Sequence, residues 1–170
     1  MRPWPMLTVR PATPLDIAEL DALMARSYGP LLRGDYPPSV LVVALPRIAR
    51  AQPRLLASGH YFVAEDGGRL LGAGGWSRGD PQGGRALPGL GHVRHVATDA
   101  RATRRGVGRA VLEAVMEDAR FHGTRRLRCL STLTAVPFYR ALGFREEGRA
   151  TLSFGAAALE FPAVEMSRAL

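Results

Sequence analysis

The spacing of hydrophobic positions changes several times along this chain, and each spacing predicts a type of element. Alternating positions at 7–10, 61–65, 70–76 and 91–98 predict four strands, because successive side chains of a strand point to opposite faces. Asp66, Gly67 and Gly68 predict a hairpin turn between the second and third strands. The glycines within 70–76 predict that another element packs closely against the backbone of the third strand.

Helical spacing occurs in four other stretches. The first helix follows a capping signal at Thr13 and is expected to bury one apolar stripe, formed by Ile17, Leu20, Leu23 and Met24. A second helix over 40–56 is expected to be interrupted near Pro46 or Pro53. Residues 106–121 form a strongly amphipathic segment with Gly123 at its end, and a short helix over 135–142 is expected to stop at Gly143.

Further strands over 127–130, 150–154 and 159–166 complete the order β-α-α-β-β-β-α-β-α-β-β. The helix over 106–121 is then a crossover between the fourth and fifth strands, and the last two strands form an antiparallel pair. The fold class is therefore mixed α/β. A length of 170 residues without an internal repeat favours a single domain over residues 1–170.

Composition excludes several classes of protein. The chain is 46% hydrophobic and 22% charged, which argues against disorder. Its only cysteine is Cys129, so an internal disulfide and a metal site built on several cysteines are excluded, and no metal site is expected. The longest apolar run, 40–45, is far shorter than the ~20 residues of a membrane span, and the N-terminus has no apolar signal core. We expect a soluble cytoplasmic protein without a membrane partner.

The formal net charge of +8 by itself indicates a nucleic-acid partner, but its origin weakens that interpretation. All 23 basic residues are arginine, there is no lysine or asparagine, and isoleucine occurs only at 17 and 48. This pattern is typical of a GC-rich coding bias. The arginines are spread along the chain without interleaved aromatic residues, so nucleic-acid binding is not expected. The absence of lysine also excludes a Gly-Lys phosphate loop and Schiff-base chemistry.

The chemically informative segment is 96–112, where a strand runs into a basic loop that opens directly into a helix. Free N–H groups and the positive end of the helix dipole favour an anion at such a helix start. Glycines at 106 and 108 allow close approach, and three arginines add charge, at 104, 105 and 109. A phosphate or pyrophosphate suits this design; an ordinary helix start containing two glycines is the alternative. Val111 occupies the third glycine position of the dinucleotide fingerprint, so that motif fails.

A second segment, 134–144, carries a Phe-Tyr pair on the short helix after the fifth strand. Phe138 and Phe144 suit core positions. Tyr139 faces elsewhere on the helix and offers a phenol as a proton donor. This helix returns across the sheet toward the end of the fourth strand, where the anion would lie.

Taken together, these segments resemble the GCN5-related N-acetyltransferases, the GNAT superfamily. The resemblance rests on Arg105-Gly106-Val107-Gly108 before the amphipathic helix and on Phe138-Tyr139-x-x-x-Gly143-Phe144 after the next strand, and it extends over most of the chain. It implies a GNAT-like fold with a central, mostly antiparallel sheet that is splayed between strands 4 and 5 and carries helices on both faces. Thr103 departs from the family pattern, which usually has Gln or Arg at this position.

The resemblance also implies an acetyl-CoA-dependent N-acetyltransferase. The acetyl group would pass directly, in a ternary complex, to a primary amine of a small molecule or peptide. The pantetheine arm would lie in the gap beside the backbone of Val96, Ala97 and Thr98. The pyrophosphate would be held by six consecutive residues, Arg104, Arg105, Gly106, Val107, Gly108 and Arg109. Tyr139 would protonate the leaving thiolate. Members of the family often form homodimers through edge strands.

The general base is the less certain half of the catalytic pair. Regular alternation predicts that one face of the fourth strand carries His92, Arg94, Val96 and Thr98. His92 stands four residues before Val96, where the family often keeps its base, and an imidazole suits the role. His92 is therefore the expected base. His95, water alone and Glu65 are the alternatives, and a structural role for either histidine remains open.

The resemblance implies that the acceptor is recognised by three stretches, 27–38, 76–90 and 154–161. Their candidate pocket residues are Tyr28, Tyr36 and Trp76, for each of which ordinary packing is an equal alternative, and Arg33 or Arg78 could meet an anionic acceptor. Acidic residues are few there, so a polycationic acceptor is not favoured. Cys129 is expected in the core and not as a nucleophile. Two other functions stay open, a CoA-binding sensor without catalysis and an arginine-rich protein associated with nucleic acid.

Overall fold

The structure, a computed structural model, describes residues 7–153 and 160–170. Seven strands are found in this part of the chain: β1 (Thr8–Pro11), β2 (Tyr61–Asp66), β3 (Arg69–Ser77), β4 (Leu90–Thr98), β5 (Arg126–Thr132), β6 (Arg145–Ser153) and β7 (Glu160–Ala169). They form one sheet in the order β1-β2-β3-β4-β5-β7-β6. Only β4 and β5 pair in parallel; every other neighbouring pair is antiparallel.

Helices pack on both faces of this sheet. Those described are α1 (Ile17–Leu32), α2 (Pro38–Ile48), α3 (Pro53–Ala57), α4 (Val107–Phe121) and α5 (Val136–Ala141). One core lies under α4 and includes Trp76, Val93 and Leu127, and a second lies under α1 and α3 and includes Tyr61, Val63 and Ala97. The mixed α/β fold and the crossover helix between the fourth and fifth strands are thereby confirmed. No helix among the described residues is both long and apolar enough to cross a bilayer.

The sheet opens between β4 and β5. Their ladder joins only Leu90–His92 to Arg126–Arg128, and the two strands then part. This is the splayed sheet that the resemblance implied. The carboxyl-terminal halves of both strands border the resulting gap.

The expected alternation along β4 is wrong because the strand contains a β-bulge. Arg94 pairs with Gly75 and Ala97 pairs with Ala73, so two residues of β4 oppose Gly74 alone, and His95 has a φ of 47°. Val93 and Val96 consequently both pack toward the α4 core, although they are three residues apart. His92 and Arg94 therefore do not share a face with Val96 and Thr98.

Three smaller points concern the first half of the chain and the last hairpin. Ile17 is 37% exposed at the helix start, whereas the other three residues of the predicted stripe are buried. The interruption expected near Pro46 or Pro53 is found directly before Pro53: residues 49–52 separate α2 from α3, and Pro46 lies inside α2. Phe154 and Leu159, predicted at the ends of the last two strands, lie outside the described residues.

A proline inside α1 links this helix to the loop that follows β4. Pro30 has no N–H, so it cannot bond the carbonyl of Arg26 one turn earlier. That carbonyl accepts the N–H of Ala100 instead, at 3.4 Å. Gly29 tolerates the helical conformation before a proline because it has no Cβ. A local defect of the helix thus provides a tertiary contact beside the gap.

Close packing against β3 explains its glycines. A Cβ on Gly72 would lie 2.5 Å from Cγ1 of Val107, so α4 sits almost directly on the strand. A Cβ on Gly75 would meet backbone atoms, 2.5 Å from the carbonyl oxygen of His60 and 2.8 Å from Cα of Tyr61. These backbone atoms lie at the start of the paired strand and cannot move away from an added Cβ as the end of a flexible side chain could.

We expect Gly75→Ala to lower the free energy of unfolding by about 2–3 kcal/mol, as overpacking against a fixed neighbour does. Gly148→Ala is the matched control, since Gly148 is also a strand glycine but has open space around its Cβ position. Its free energy of unfolding should change by less than about 0.5 kcal/mol. Urea unfolding of both variants measures this, and equal effects would contradict the packing argument.

Candidate active site

The gap between β4 and β5 forms a cavity of about 720 Å³. The two strands supply its walls, and α1, the start of α4 and α5 close it from the other sides. Residues from each of these elements line it, among them Tyr28, His95, Gly108, Cys129 and Tyr139. The cavity is long and bordered by unpaired strand backbone, which suits an extended ligand that pairs with a strand.

Alternation of the β3–β4 ladder determines which backbone groups face the gap. Asp99 donates its N–H to Leu71 on β3, so the polar backbone groups of Val96 and Thr98 point to the opposite side. Two of these four backbone groups form hydrogen bonds with side-chain hydroxyl groups of α1. Tyr28 donates to the Val96 carbonyl at 2.9 Å, and Ser27 Oγ accepts the Thr98 N–H at 3.1 Å. The Val96 N–H and the Thr98 carbonyl remain directed at the gap.

The helix start at one end of the cavity has the geometry and charge that favour an anion. Arg104 has a φ of 61° and Gly106 a φ of 79°, so the loop turns sharply before α4 begins. The first N–H groups of a helix have no partner within the helix, and here they lie at the cavity, because Gly106, Val107 and Gly108 line it. Arg104 and Arg109 also line this end, and they add positive charge to that of the helix dipole.

Asp99 anchors the beginning of this loop. Its carboxylate is 1% exposed and accepts the Arg101 N–H at 2.9 Å, together with the guanidinium groups of Arg26 at 3.0 Å and Arg69 at 3.1 Å. Burial opposes ionisation, but these hydrogen bonds outweigh it and hold the pKa of Asp99 below its usual value. Charge-assisted bonds of this kind fix the loop to both α1 and β3.

Gly108 is needed for the contact between α4 and α5. A Cβ at this position would lie 2.9 Å from Cε2 of Phe138 and 3.2 Å from the Thr98 hydroxyl. The second glycine of the loop therefore permits close packing, whereas Gly106 permits a positive φ with open space around it. The two glycines serve different physical purposes.

Tyr139 lies in the cavity wall on α5. Its ring packs edge-to-face on Phe138 and Phe144, and α5 ends in the predicted manner, with Phe144 N–H bonded to the Tyr139 carbonyl at 3.1 Å and Gly143 at a φ of 84°. No described residue hydrogen-bonds the Tyr139 hydroxyl. Burial raises the pKa of this phenol well above its ordinary value, so it keeps its proton at neutral pH.

Cys129 also lines the cavity, from β5. Its side chain is buried, and burial raises the pKa of the thiol to about 12. A thiol with this pKa is protonated at neutral pH and is a poor nucleophile. The side chain belongs to the core under α4, as the sequence predicts.

His95, at the bulge, is held in one protonation form by its neighbours. Arg94 donates to Oε1 of Gln52 at 3.2 Å, which orients the Gln52 amide so that its Nε2 donates to Nε2 of His95 at 2.9 Å. The ring proton of His95 is then on Nδ1, which is buried and has no partner among the described residues. Burial lowers the pKa of His95 to about 4, so this imidazole is a weak base, and its buried Nδ1–H is left without a partner among the described residues.

His92 occupies the point at which the sheet divides. It is the last residue of β4 that pairs with β5, opposite Arg128, and it shares the strand face of Arg94 and not that of Val93. The side chain is 7% exposed, and it is not among the residues that line the cavity. Burial lowers its pKa; Asp80 opposes this effect, and Arg128 and Arg94 reinforce it. No described residue hydrogen-bonds its ring.

Most, but not all, of the predicted cofactor-binding residues line the cavity. Val96, Thr98, Arg104, Gly106, Val107, Gly108 and Arg109 line the cavity. Ala97 does not, because its side chain is buried in the core under α1, where the strand pairs with Ala73. Arg105 is exposed and lies outside the cavity lining.

Several candidate acceptor residues have structural roles instead. Trp76 is 1% exposed in the α4 core, and Arg78 packs over its ring. Tyr36 stacks on Phe161 with ring centroids 4.3 Å apart, and its hydroxyl donates to the Pro162 carbonyl at 2.6 Å. Glu65 is paired with Arg10 on the outer strands. Of the three aromatic candidates, only Tyr28 lines the cavity.

Sequence reasoning missed the polar groups that shape the gap from elsewhere in the chain. Ser27 and Gln52 act on β4 through the contacts given above, and Ser131 and Thr132 of β5 form the opposite wall. No motif marks them. A buried serine within the apolar face of α1 is the one signal that could have been used, since a buried hydroxyl needs a hydrogen-bond partner.

Comparison with known proteins identifies the class to which this fold and site belong. A family model described as the acetyltransferase (GNAT) domain matches residues 57–146, more than half of the chain. The chain therefore belongs to the GNAT acetyltransferase family, and the resemblance expected from the two motifs is confirmed. Among curated protein sequences, no relative matches it.

Solved structures of the same fold include a GCN5-related N-acetyltransferase from Rhodopseudomonas palustris, with a TM-score of 0.74 and 19% identity over 96% of both chains. A PaiA N-acetyltransferase from Thermoplasma acidophilum, in complex with coenzyme A, has a TM-score of 0.73 and 12% identity over 96% of this chain and 99% of that one. The ribosomal-protein-S18-alanine N-acetyltransferase of Escherichia coli has a TM-score of 0.64 and 17% identity over 96% of this chain and 94% of that one. At these identities the likeness concerns the fold.

Proposed function

We propose that this protein transfers an acetyl group from acetyl-CoA to a primary amine of a small molecule or peptide, directly and without a covalent enzyme intermediate. The observation that carries this proposal is the gap between β4 and β5, which runs to the anion-binding start of α4. One ligand with an amide-bearing arm and a pyrophosphate fits both features. The coenzyme A complex of the Thermoplasma acidophilum protein, which has the same fold, supports it.

The backbone of this chain would bind the cofactor through two sets of groups. The pantetheine amides would pair with the Val96 N–H and the Thr98 carbonyl, as an added strand pairs with a sheet edge. The pyrophosphate would accept hydrogen bonds from the first N–H groups of α4, with Arg104 and Arg109 beside it. Arg105 would contribute its backbone N–H or long-range charge, since its side chain is turned away from the cavity.

The transfer needs one base and one acid. The neutral amine attacks the thioester carbonyl carbon and a C–N bond forms. The base takes the proton that the positively charged nitrogen then carries, and the C–S bond breaks to release a thiolate that the acid protonates. Tyr139 keeps its proton at neutral pH and would give it to the sulfur. Cys129 stays a protonated thiol beside it and takes no part as a nucleophile.

We assign the base to His92 and a different role to His95. The lone pair of His95 is already used by Gln52, and its pKa of about 4 makes it a weak base. Its free Nδ1–H is suited instead to donate a hydrogen bond to the bound thioester or amine substrate. His92 has a ring without hydrogen-bond partners among the described residues, at the apex of the gap and on the face away from α4. Since His92 is 7% exposed and does not line the cavity, its role as the base requires that the amine, or a water molecule bonded to it, reach the ring from that face.

We expect Tyr139→Phe to lower kcat by about 100-fold or more, since a general acid contributes 10²–10⁴-fold, while the Kd for acetyl-CoA stays nearly unchanged. Thiol release with a panel of amines (polyamines, amino acids and peptide N-termini) measures the rate, and calorimetry measures binding. Tyr36→Phe is the matched control, because it removes a buried hydroxyl outside the cavity and should keep kcat. An unaltered kcat in Tyr139→Phe contradicts the role of the phenol. Acetyl-CoA binding by the wild type without turnover of any amine favours the sensor function.

The pH dependence of kcat/KM distinguishes the two histidines. The base must be neutral, and burial holds the pKa of His92 below 6.5. The wild-type rate should therefore be independent of His92 above pH 6.5 and fall about tenfold per pH unit once the pH is below that pKa. In His92→Gln this acid limb should disappear along with most of the activity, whereas His95→Gln should retain the limb. If the limb survives in His92→Gln, then His92 is not the base.

A further inference from the structure

Three side chains that can bind a metal ion meet at the end of α4 that is remote from the gap. Asp118 and His122 are one helical turn apart at the C-terminal end of this helix, and His60 lies immediately before β2. One nitrogen or oxygen atom of each residue lies within 4.8 Å of those of the other two. All three residues are half-buried, so the cluster is fixed by its surroundings and still open to solvent.

The carboxylate of Asp118 is held at the centre of this cluster. The indole Nε1 of Trp76, which is 1% exposed, donates to Oδ2 of Asp118 at 2.7 Å. Nδ1 of His60 lies 2.7 Å from the same oxygen. Nδ1 of His122 lies 3.4 Å from the other oxygen, Oδ1, and 2.9 Å from the Asp118 main-chain carbonyl, so a metal ion bound through this nitrogen would replace that hydrogen bond. A buried partner that orients a carboxylate is the usual outer support of a metal ligand.

The charges around the cluster also favour a cation. The last carbonyl groups of a helix form the negative end of its dipole, and the cluster lies there. Arg78 is the neighbouring cation, but its guanidinium is engaged at 3.0 Å by the His122 carbonyl and packs over the Trp76 ring, 5.9 Å from its centroid. The negative charge of Asp118 is thus shared by the two imidazoles and the indole.

From this arrangement we infer that His60, Asp118 and His122 bind one divalent transition-metal ion of the Zn²⁺ type, with water at the open position. Two imidazoles and a carboxylate suit Zn²⁺, Ni²⁺ or Cu²⁺, whereas Mg²⁺ and Ca²⁺ prefer oxygen ligands alone. Bond lengths of about 2.0–2.2 Å bring tetrahedral ligand atoms to roughly 3.4 Å from one another. At present His60 Nδ1 is only 2.7 Å from Asp118 Oδ2, and all three ligand atoms lie within 4.8 Å of one another, so the two imidazole side chains must rotate to reach this spacing.

The position of the cluster defines what the ion would do. Asp118 is about 15 Å along the helix from Gly108, at a rise of 1.5 Å per residue, so the ion takes no part in acetyl transfer. It would join the start of β2 to the end of α4 and so stabilise the contact between this helix and the sheet. The inference is independent of the proposed function.

The sequence alone indicates no metal site here. An aspartate and a histidine four residues apart on a helix are a common pair, and the third ligand is separated from them by 58 positions in the chain. The fold brings them together because β3, which carries Trp76, lies directly under α4. The expectation that the chain has no metal site was based on its single cysteine, and a site of this kind needs none.

The test uses tag-free full-length protein, stripped with a chelator and titrated with ZnCl₂ in a calorimeter, with thermal unfolding in parallel. We expect one equivalent of Zn²⁺ to bind. At a free Zn²⁺ concentration of 100 times the dissociation constant, the unfolding midpoint should rise by about 5–11 °C. MgCl₂ should give no shift. His60→Gln and Asp118→Asn should each lose the binding event, whereas Glu117→Gln, the control, removes an exposed carboxylate beside Asp118 and should keep it.

Circular dichroism verifies that each variant is folded, and His122→Gln replaces any variant that is not. The inference is overturned if the wild type takes up no Zn²⁺. It is equally overturned if the folded ligand variants bind Zn²⁺ as the wild type does, because binding then occurs elsewhere. Neither result bears on acetyl-CoA, which is measured separately.

Discussion

The structure depends on one constraint: the backbone N–H and carbonyl groups of β4 and β5 still need hydrogen-bond partners where these two strands stop pairing. Beyond His92 the parallel ladder of β4 and β5 ends, and the polar backbone of Val96 and Thr98 faces a gap instead of a strand. A buried N–H or carbonyl without a partner costs about 1–3 kcal/mol, so the gap persists only if other groups compensate. Tyr28 and Ser27 supply hydroxyls for two of the groups, and the remaining two are left for a ligand.

The bulge at His95 and the loop at Asp99 follow from the same constraint. The bulge turns Val96 toward the α4 core and leaves the carbonyl of His95 to the hydroxyl of Tyr61, at 2.6 Å. Asp99 then fixes the chain with two arginines before α4 begins, so the helix start lies at one end of the gap. The gap and the start of α4 thereby form one continuous surface.

The sequence predicts the elements well because their signals are local. The amphipathic period of α4, the stop at Gly143 and the glycines of β3 each rest on residues close in the chain. The bulge could not be predicted. Regular alternation assumes that each residue of β4 lies opposite one residue of β3, and nothing in the pattern at 91–98 marks an additional residue. For this reason the predicted shared face of His92 and Val96 was wrong. The sequence left Trp76 open between a pocket residue and ordinary packing, because its partner, Asp118, is distant in sequence.

The arginine content has a structural explanation that separates it from nucleic-acid binding. Arg10 is paired with Asp16 and Glu65, and Arg26 and Arg69 share Asp99. These guanidinium groups hold loops and strand ends in place. Two arginines at the start of α4, Arg104 and Arg109, line one end of the gap, and Arg109 also pairs with Glu113 at 3.6 Å. Two cations at one end of a cavity match one small anionic ligand more closely than an extended polyanion.

The central claim is that the gap and the start of α4 together bind one cofactor, and calorimetric titration with acetyl-CoA tests it most directly. The account predicts one equivalent of acetyl-CoA bound, with ATP at the same concentration binding much more weakly, since ATP offers phosphates but no arm to pair with β4. Equal affinity for the two ligands, or no binding of acetyl-CoA, would contradict it.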